Sequence, residues 1–288
     1  MKNILTIGFV VLFFIMTGLV TADVTVNQVS TVKTMGQSVA KEGTIKIKGD
    51  KSIMESSGKD GATAMPGMQA LDFTVITDLD QGVIYTIDPN NKVYRETTAE
   101  EMKAVNMPPS EPEGDTFTWE VSVDDLGEQN IAGYNAVGLR GIAVGTGIED
   151  PGQKTRITYE IWAAKGVPGE NEMMDHFKKM SELTGQDHLI KNELVNKMYS
   201  QVGPAFGELV DKLSKLEGFP VKMTMEAAIT LAGDSQDSDK MIMMQQMMGA
   251  PDKDGWLTLT SFTNEVTGFN TDAVDDAIFK LPEGFKKQ

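Results

Sequence analysis

Two histidines are the only residues in this sequence whose ordinary pKa suits proton transfer near neutral pH. They are His176 and His188, and an aspartate precedes each of them. Two zinc ligands on one helix would be one helical turn apart and would need a further ligand nearby. The two histidines are too widely spaced for such a pair. We therefore interpret both as exposed positions on helices and expect no metal site there.

Motifs of common enzyme classes are missing from the sequence. It has no G-x-S-x-G elbow, no P-loop, no G-x-G-x-x-G turn and no complete calcium loop. It also has no cysteine, which excludes disulfides, thiolate metal ligands and cysteine nucleophiles. The segment from Asp252 to Gly255 opens like a calcium loop but lacks the later oxygen ligands, so it predicts a β-turn. We expect a non-catalytic protein without a cofactor.

Methionine is the unusual residue type, with 19 copies, and five of them crowd into residues 241–248. Three interpretations are open. Thioether sulfur is a soft ligand that can hold Cu(I). Flexible methionine side chains also suit a surface that accepts varied apolar ligands. The third interpretation is a short amphipathic helix whose methionines fill an irregular core.

The N-terminus predicts export. Lys2 is followed by a mostly apolar stretch over residues 4–20, and small residues at the end of this stretch lead to Ala22. This is the pattern of a secretory signal peptide comprising residues 1–22, and we expect the mature chain, 23–288, to be periplasmic or extracellular. The alternative is an N-terminal anchor that is not cleaved.

The predicted mature chain is strongly acidic. Without Lys2 it contains 25 basic and 42 acidic residues, a net charge of −17. This charge repels polyphosphates and anionic lipid surfaces, so nucleic acid is excluded as a partner. Solubility alone accounts for such a charge. After cleavage no membrane-spanning segment is expected, and any contact with a membrane would be peripheral.

Alternating apolar and polar residues predict β-strands with one wet and one apolar face. Examples are residues 44–48, 117–123, 156–163 and 221–226. Turn-forming residues separate them at Gly49, at 88–91, at 149–152 and at 252–255. We predict one hairpin from 83–88 to 92–97 and another from 117–126 to 131–144. The stretches 56–69 and 107–115 are predicted loops.

The middle of the chain has a helical pattern instead. From Glu170 to about residue 217, apolar residues recur every three or four positions, as at Met173, Phe177 and Met180. A sheet with one apolar face must bury that face against another element, and this insertion is long enough to cover it. The predicted fold class is α+β: a curved antiparallel sheet with a helical insertion of two or three helices covering its concave face.

Trp162 is predicted on the polar side of its strand, together with Thr158 and Glu160. A tryptophan on that side either lines a ligand opening or is covered by a loop or helix, and covered packing is the simpler interpretation. The candidate ligand-binding residues are aromatic residues and methionines on the predicted apolar surfaces: Met173, Phe177, Met223, Met225, Met244, Met247 and Trp162.

Six segments carry a resemblance to a known family: TIKIKGDKSIM from Thr44, VIYTIDPNNKVY from Val83, IAGYNA from Ile131, EIWAA from Glu160, GFPVK from Gly218 and FKLPEGF from Phe279. In their order they resemble a family of exported bacterial proteins of unknown function that is similar to the lipoprotein-localisation carriers of the LolA/LolB type. The resemblance implies an incomplete barrel whose concave apolar face is covered by helices and can accept acyl chains. No acyl-handling residue of the carriers is matched.

These observations favour a non-catalytic protein of the cell envelope that binds a lipid, an acyl chain or another apolar ligand. A structural or protein-interaction module is the first alternative, with its groove filled by its own helices and an envelope protein as its partner. Methionine-based copper binding is the second. A hydrolase that uses scattered carboxylates ranks last, because no pair of acids stands out.

Overall fold

The computed structural model describes residues 23–34, 37–58, 73–105, 117–184, 213, 215–230 and 249–288. The strands are β1 (Val24–Thr34), β2 (Gln37–Lys48), β3 (Lys51–Gly58), β4 (Phe73–Asp78), β5 (Val83–Asp88), β6 (Val93–Thr98), β7 (Phe117–Ile131), β8 (Tyr134–Gly147), β9 (Lys154–Ala164), β10 (Phe219–Thr230), β11 (Trp256–Asn270) and β12 (Lys286–Lys287). The helices are α1 (Ala99–Val105), α2 (Glu170–Thr184) and a 3₁₀ turn (Asp276–Phe279).

Two antiparallel meanders form one large curved sheet. Its strand order is β12-β6-β5-β4-β3-β2-β1-β11-β10-β9-β8-β7. The meander β1–β6 joins the meander β7–β11 where β1 pairs with β11, for example with Val32 opposite Phe262. Of the pairings among the described strands, that of the short β12 with β6 is parallel and the others are antiparallel. The order is linear, so the sheet is open, as the predicted incomplete barrel requires.

Strand β1 shows how the sheet acquires two unlike faces. Its alternate residues Val24 and Val26 are buried and Val32 is half-buried, while Lys33 on the other side is exposed. Successive side chains of a strand point to opposite faces, so these valines share one face. We call the face that carries Val24, Val26 and Val32 face A, and the opposite face B.

Helix α2 packs on face A at the start of β1. Met173 is fully buried in a cluster with Val24, Val26 and Ile47. The predicted helix is thus confirmed from Glu170 to Thr184, but residues 185–212 and 214 of the predicted insertion lie outside the described residues. Coverage of the face by the whole insertion stays a proposal.

The C-terminal segment covers a different part of the sheet, on face B. Ile53 and Ile76 lie opposite each other on β3 and β4 and form a buried cluster with Val274 and Phe279. The ammonium of Lys48 donates to the Val274 carbonyl at 2.9 Å and pairs with Asp276 at 2.9 Å. The sequence pattern did not predict this second cover, because the segment carries no periodic signal.

Most predicted turns are confirmed. The β5–β6 hairpin turns at residues 89–92, and Asp88 accepts hydrogen bonds there from the backbone of Asn90 and Asn91. The β7–β8 hairpin is longer than predicted, since both strands continue to a two-residue turn at Ala132 and Gly133. The predicted loop at 107–115, and residues 59–69 of the other loop, lie outside the described residues. Within the described part of the chain, no helix is both long and apolar enough to cross a membrane.

Gly169 offers a test of how α2 is joined to β1. Its φ is +70°, and a Cβ added there would lie 2.1 Å from Cγ2 of Val24. Gly166 has a φ of +72° with nothing within 4 Å of an added Cβ. We expect Gly166→Ala to lower the free energy of unfolding by about 1–2 kcal/mol through backbone strain alone. Gly169→Ala should cost about 1–3 kcal/mol more through overpacking. Urea titrations of both variants measure the difference, and equal losses would contradict the contact with Val24.

Candidate functional site

An apolar row crosses face A from one meander into the other. Its members lie directly opposite one another on neighbouring strands, so their side chains point to the same side of the sheet. We call the following residues the apolar row: Val123, Gly141, Tyr159, Met225, Phe262, Val32 and Val39.

Burial divides this row into two parts. Tyr159 and Met225 are 4% and 2% exposed and pack in a cluster with the fully buried Leu213. Phe262, Val32 and Val39 are only half-buried. The β8–β10 part of the row is therefore filled core, whereas the part on β11, β1 and β2 keeps apolar surface in contact with solvent.

A polar border lies next to the half-buried part, towards α2. The Ser30 hydroxyl donates to Oδ1 of Asn264 at 2.9 Å, and Nδ2 of Asn264 donates to Gln28 at 3.0 Å. On the neighbouring strand Met223 lies opposite Asn264, and its sulfur accepts a hydrogen bond from the Tyr159 hydroxyl at 3.4 Å. The candidate site consists of the half-buried residues and this border: Phe262, Val32, Val39, Met223, Ser30 and Asn264.

The predicted ligand-binding residues fall into separate places. Met225 belongs to the filled part of the apolar row, and Met223 packs against the same cluster. Met173, Phe177 and Trp162 belong to a second buried cluster, to which α2 contributes Met173 and Phe177, and in it the ring centroid of Phe177 lies 6.4 Å from that of Phe219. Met244 and Met247 lie outside the described residues. The described candidates therefore do not form a single pocket.

Trp162 is covered, as the simpler interpretation of its position predicted. Trp162 lies opposite Lys222 of β10, whose ammonium forms an ion pair with Glu265 at 2.7 Å. In spite of this polar neighbour, the tryptophan is only 9% exposed. Its ring lies on the backbone of Gly138, where an added Cβ would approach ring atoms to 2.6 Å. The glycine thus makes room for an indole on the otherwise polar side of β9.

Face B of the same strands is polar and crosslinked. Arg156 Nη2 donates to Glu226 at 3.1 Å and to Asp252 at 3.3 Å, and its guanidinium lies 4.7 Å from the Trp256 ring centroid. Asp252 also accepts from the Trp256 backbone, within the turn predicted at 252–255. This face offers ion pairs and a cation–π contact rather than an apolar surface.

The interpretation of His176 as an exposed residue is wrong. The side chain is 2% exposed, with Nδ1 3.1 Å from the Gly49 carbonyl and Nε2 3.0 Å from the Ser52 hydroxyl. Burial lowers the pKa of His176, the Gly49 carbonyl and Asp50 oppose this shift, and Lys179 adds to it. Its position one turn after Met173 and one turn before Met180 was the available signal, because those residues mark the apolar stripe of α2. His188 lies outside the described residues.

No metal site is evident in the part of the chain that the structure describes. There, no group of three histidine or carboxylate side chains converges on one point. Both ring nitrogens of His176 already have hydrogen-bond partners, so that side chain is committed to joining α2 to the β2–β3 turn.

Comparisons with known proteins find only distant structural likeness. No family model matches the sequence, and no curated protein sequence matches it. An uncharacterized conserved protein from Thermus thermophilus has 7% identity and a TM-score of 0.36, over 93% of this chain and 91% of its own. A putative outer membrane lipoprotein-sorting protein domain from Vibrio parahaemolyticus has 8% identity and a TM-score of 0.28, over 90% and 89%.

A DUF1329 family protein from Desulfovibrio piger has 10% identity and a TM-score of 0.30, over 91% of this chain and 90% of its own. The likeness is too remote to assign a family or to support an argument about function.

The burial of His176 predicts a pH dependence of stability. A histidine whose folded pKa is lowered stabilises the fold above its unfolded pKa of about 6.5, and this contribution is lost as the pH falls from that value towards the lower folded pKa. We expect the free energy of unfolding to decline from about pH 7.5 to 5.5, and to decline less in His176→Gln. His188→Gln is the control and should keep the wild-type slope. Urea titrations across this range measure the slopes, and identical slopes in all three proteins would exclude His176 as the source.

Proposed function

We propose that this protein binds an acyl chain or another apolar ligand on face A, without catalysis, in the cell envelope. The observation that carries the proposal is the half-buried part of the apolar row, where Phe262, Val32 and Val39 lie side by side on three strands. Apolar surface removed from water contributes about 25 cal/mol per Å², and the interaction has no directional requirement. A continuous apolar strip therefore suits a flexible hydrocarbon chain.

The polar border supports an amphiphile as the ligand. Ser30, Gln28 and Asn264 bring hydroxyl and amide groups beside the apolar surface. Such groups can hydrogen-bond a carboxyl or an ester at one end of an acyl chain while the chain lies on the row. Met223 lies at the junction of the two regions, and an unbranched methionine adapts its shape to different ligands.

The predicted signal peptide of residues 1–22 supports a location in the periplasm or outside the cell. The methionine-rich segment at 241–248 supports an adaptable apolar surface, to which Met244 and Met247 would contribute. Met173, Phe177 and Trp162 would act from the second buried cluster, by supporting the sheet on which the ligand lies.

A protein-interaction module is the second candidate function. It is favoured by the filled β8–β10 part of the apolar row, where Leu213 is fully buried against Tyr159 and Met225. In that case the chain would complete its own apolar face, and an envelope protein would bind elsewhere on the acidic surface.

Phe262→Asp tests the proposed site directly. We expect it to weaken the binding of an apolar fluorescent probe roughly tenfold or more, because it places a charge within the apolar row. Ser261→Asp is the matched control, since the neighbouring residue is half-buried on face B. Mass spectrometry of an organic extract of the natively purified protein should also reveal a lipid. Equal effects of the two substitutions, or neither lipid nor probe binding in the wild type, would refute the proposal.

The contribution of the methionine-rich segment can be separated from that of the apolar row. We expect Met244→Asp combined with Met247→Asp to abolish probe uptake if this segment lines the site. Unchanged uptake in that variant, with uptake lost in Phe262→Asp, would confine the site to β11, β1 and β2.

A further inference from the structure

The two ends of the open sheet differ in the part of the chain that the structure describes. At one end, β12 covers the edge of β6, because the backbone N–H of Lys286 donates to Lys92 and that of Gln288 donates to Tyr94. At the other end lies β7, which pairs with β8 and with no other strand in the described part of the chain. An uncovered edge strand presents backbone N–H and C=O groups that can pair with another extended chain.

The regular part of this edge has a defined length. From Phe117 to Asp124 every residue of β7 has a partner on β8 in continuous register. A bulge at Leu126 then interrupts the register, with Gly127 at a φ of +75° and its N–H donating to the Asp125 carboxylate at 2.7 Å. A bulge twists a strand locally, so the template for a straight partner strand is the segment before it.

The side chains of this segment differ between the two faces. Trp119, Val121 and Val123 are half-buried on face A, where Val123 ends the apolar row. Glu120 and Asp124 are exposed on face B. The segment Phe117–Asp124 contains no basic residue.

The carboxylates of Glu120 and Asp124 are not neutralised by any residue in the described part of the chain. Among the described residues, neither Glu120 nor Asp124 forms an ion pair or a side-chain hydrogen bond. Arg140 lies opposite Asp124 on β8, but its guanidinium pairs with Glu160 on β9 at 2.6 Å. The acidic charge at this edge is therefore available to a cation from outside.

We infer that the edge of β7 from Phe117 to Asp124 is a docking site for an extended segment of a basic partner protein, which adds to the sheet as a further strand. Alternate apolar residues of the partner would extend the apolar surface beside Val121 and Val123. Its intervening lysines or arginines would lie opposite Glu120 and Asp124, where opposite charges on facing strands stabilise the pair. The inference concerns the sheet edge and does not depend on the proposed function.

Charge also decides against a second copy of this chain as the occupant. Two β7 segments paired with each other would bring Glu120 and Asp124 close to the same acids of the other copy, and like charges on facing strands are destabilising. The strong net negative charge of the whole protein acts in the same direction.

The test uses an acetylated peptide of about eight residues in which valine and lysine alternate, a length that matches the regular edge. Isothermal titration to the mature protein should show binding. A peptide with glutamate in place of lysine should not bind. A third peptide keeps the lysines but carries an N-methyl group on every residue, which removes the backbone N–H donors on both edges of the strand. It should also lose binding, and retained binding would show charge attraction without strand addition and overturn the inference.

Charge reversal on the protein completes the test. The double variant Glu120→Lys with Asp124→Lys should bind the lysine peptide roughly tenfold or more weakly than the wild type. It should also gain binding of the glutamate peptide. The matched control, Glu149→Lys with Glu283→Lys, changes the net charge equally at two exposed positions outside β7. If both variants behave alike, the site is not at β7. A dimer of the free protein in light scattering that the lysine peptide dissociates would assign the edge to a second copy and overturn the inference.

Discussion

The antiparallel pairing of β1 with β11 is the interaction on which the rest of the structure depends. It joins ten residue pairs between the beginning and the end of the described chain, and it makes one sheet of two meanders. Without it each meander would have another uncovered edge, and an isolated edge is prone to pair with other chains. The half-buried part of the apolar row exists only because Phe262 on β11 lies beside Val32 on β1.

Two segments cover the sheet near the β2–β3 turn, one on each face. Around the β2–β3 turn, α2 docks on face A through His176, and the C-terminal segment docks on face B through Lys48. Asp23 adds a further connection at the start of β1, because its carboxylate accepts from the Val274 backbone at 2.6 Å. The joined meanders are thus held at one end from both sides, while the half-buried residues of the apolar row lie away from these contacts.

The sequence predicts the local features of this fold well. Alternation and turn residues locate the β5–β6 and β7–β8 hairpins, and a three- and four-residue spacing locates α2. It does not predict the β1–β11 pairing, because strand partners far apart in sequence leave no local signal. Much of the β11 sequence is polar, with serine, threonine and asparagine around Phe262. The predicted site therefore does not include Phe262. The residue type of His176 suggests an exposed position, whereas its place on the apolar stripe of α2 accounts for its burial.

Hydrogen exchange followed by mass spectrometry in increasing urea tests most directly whether β1 and β11 unite the meanders. If they do, peptides from β2, β10 and β11 will lose protection together, at the free energy of global unfolding. Loss of protection in β2–β5 at a clearly lower urea concentration than in β8–β10 would show two independent units and contradict the continuous sheet.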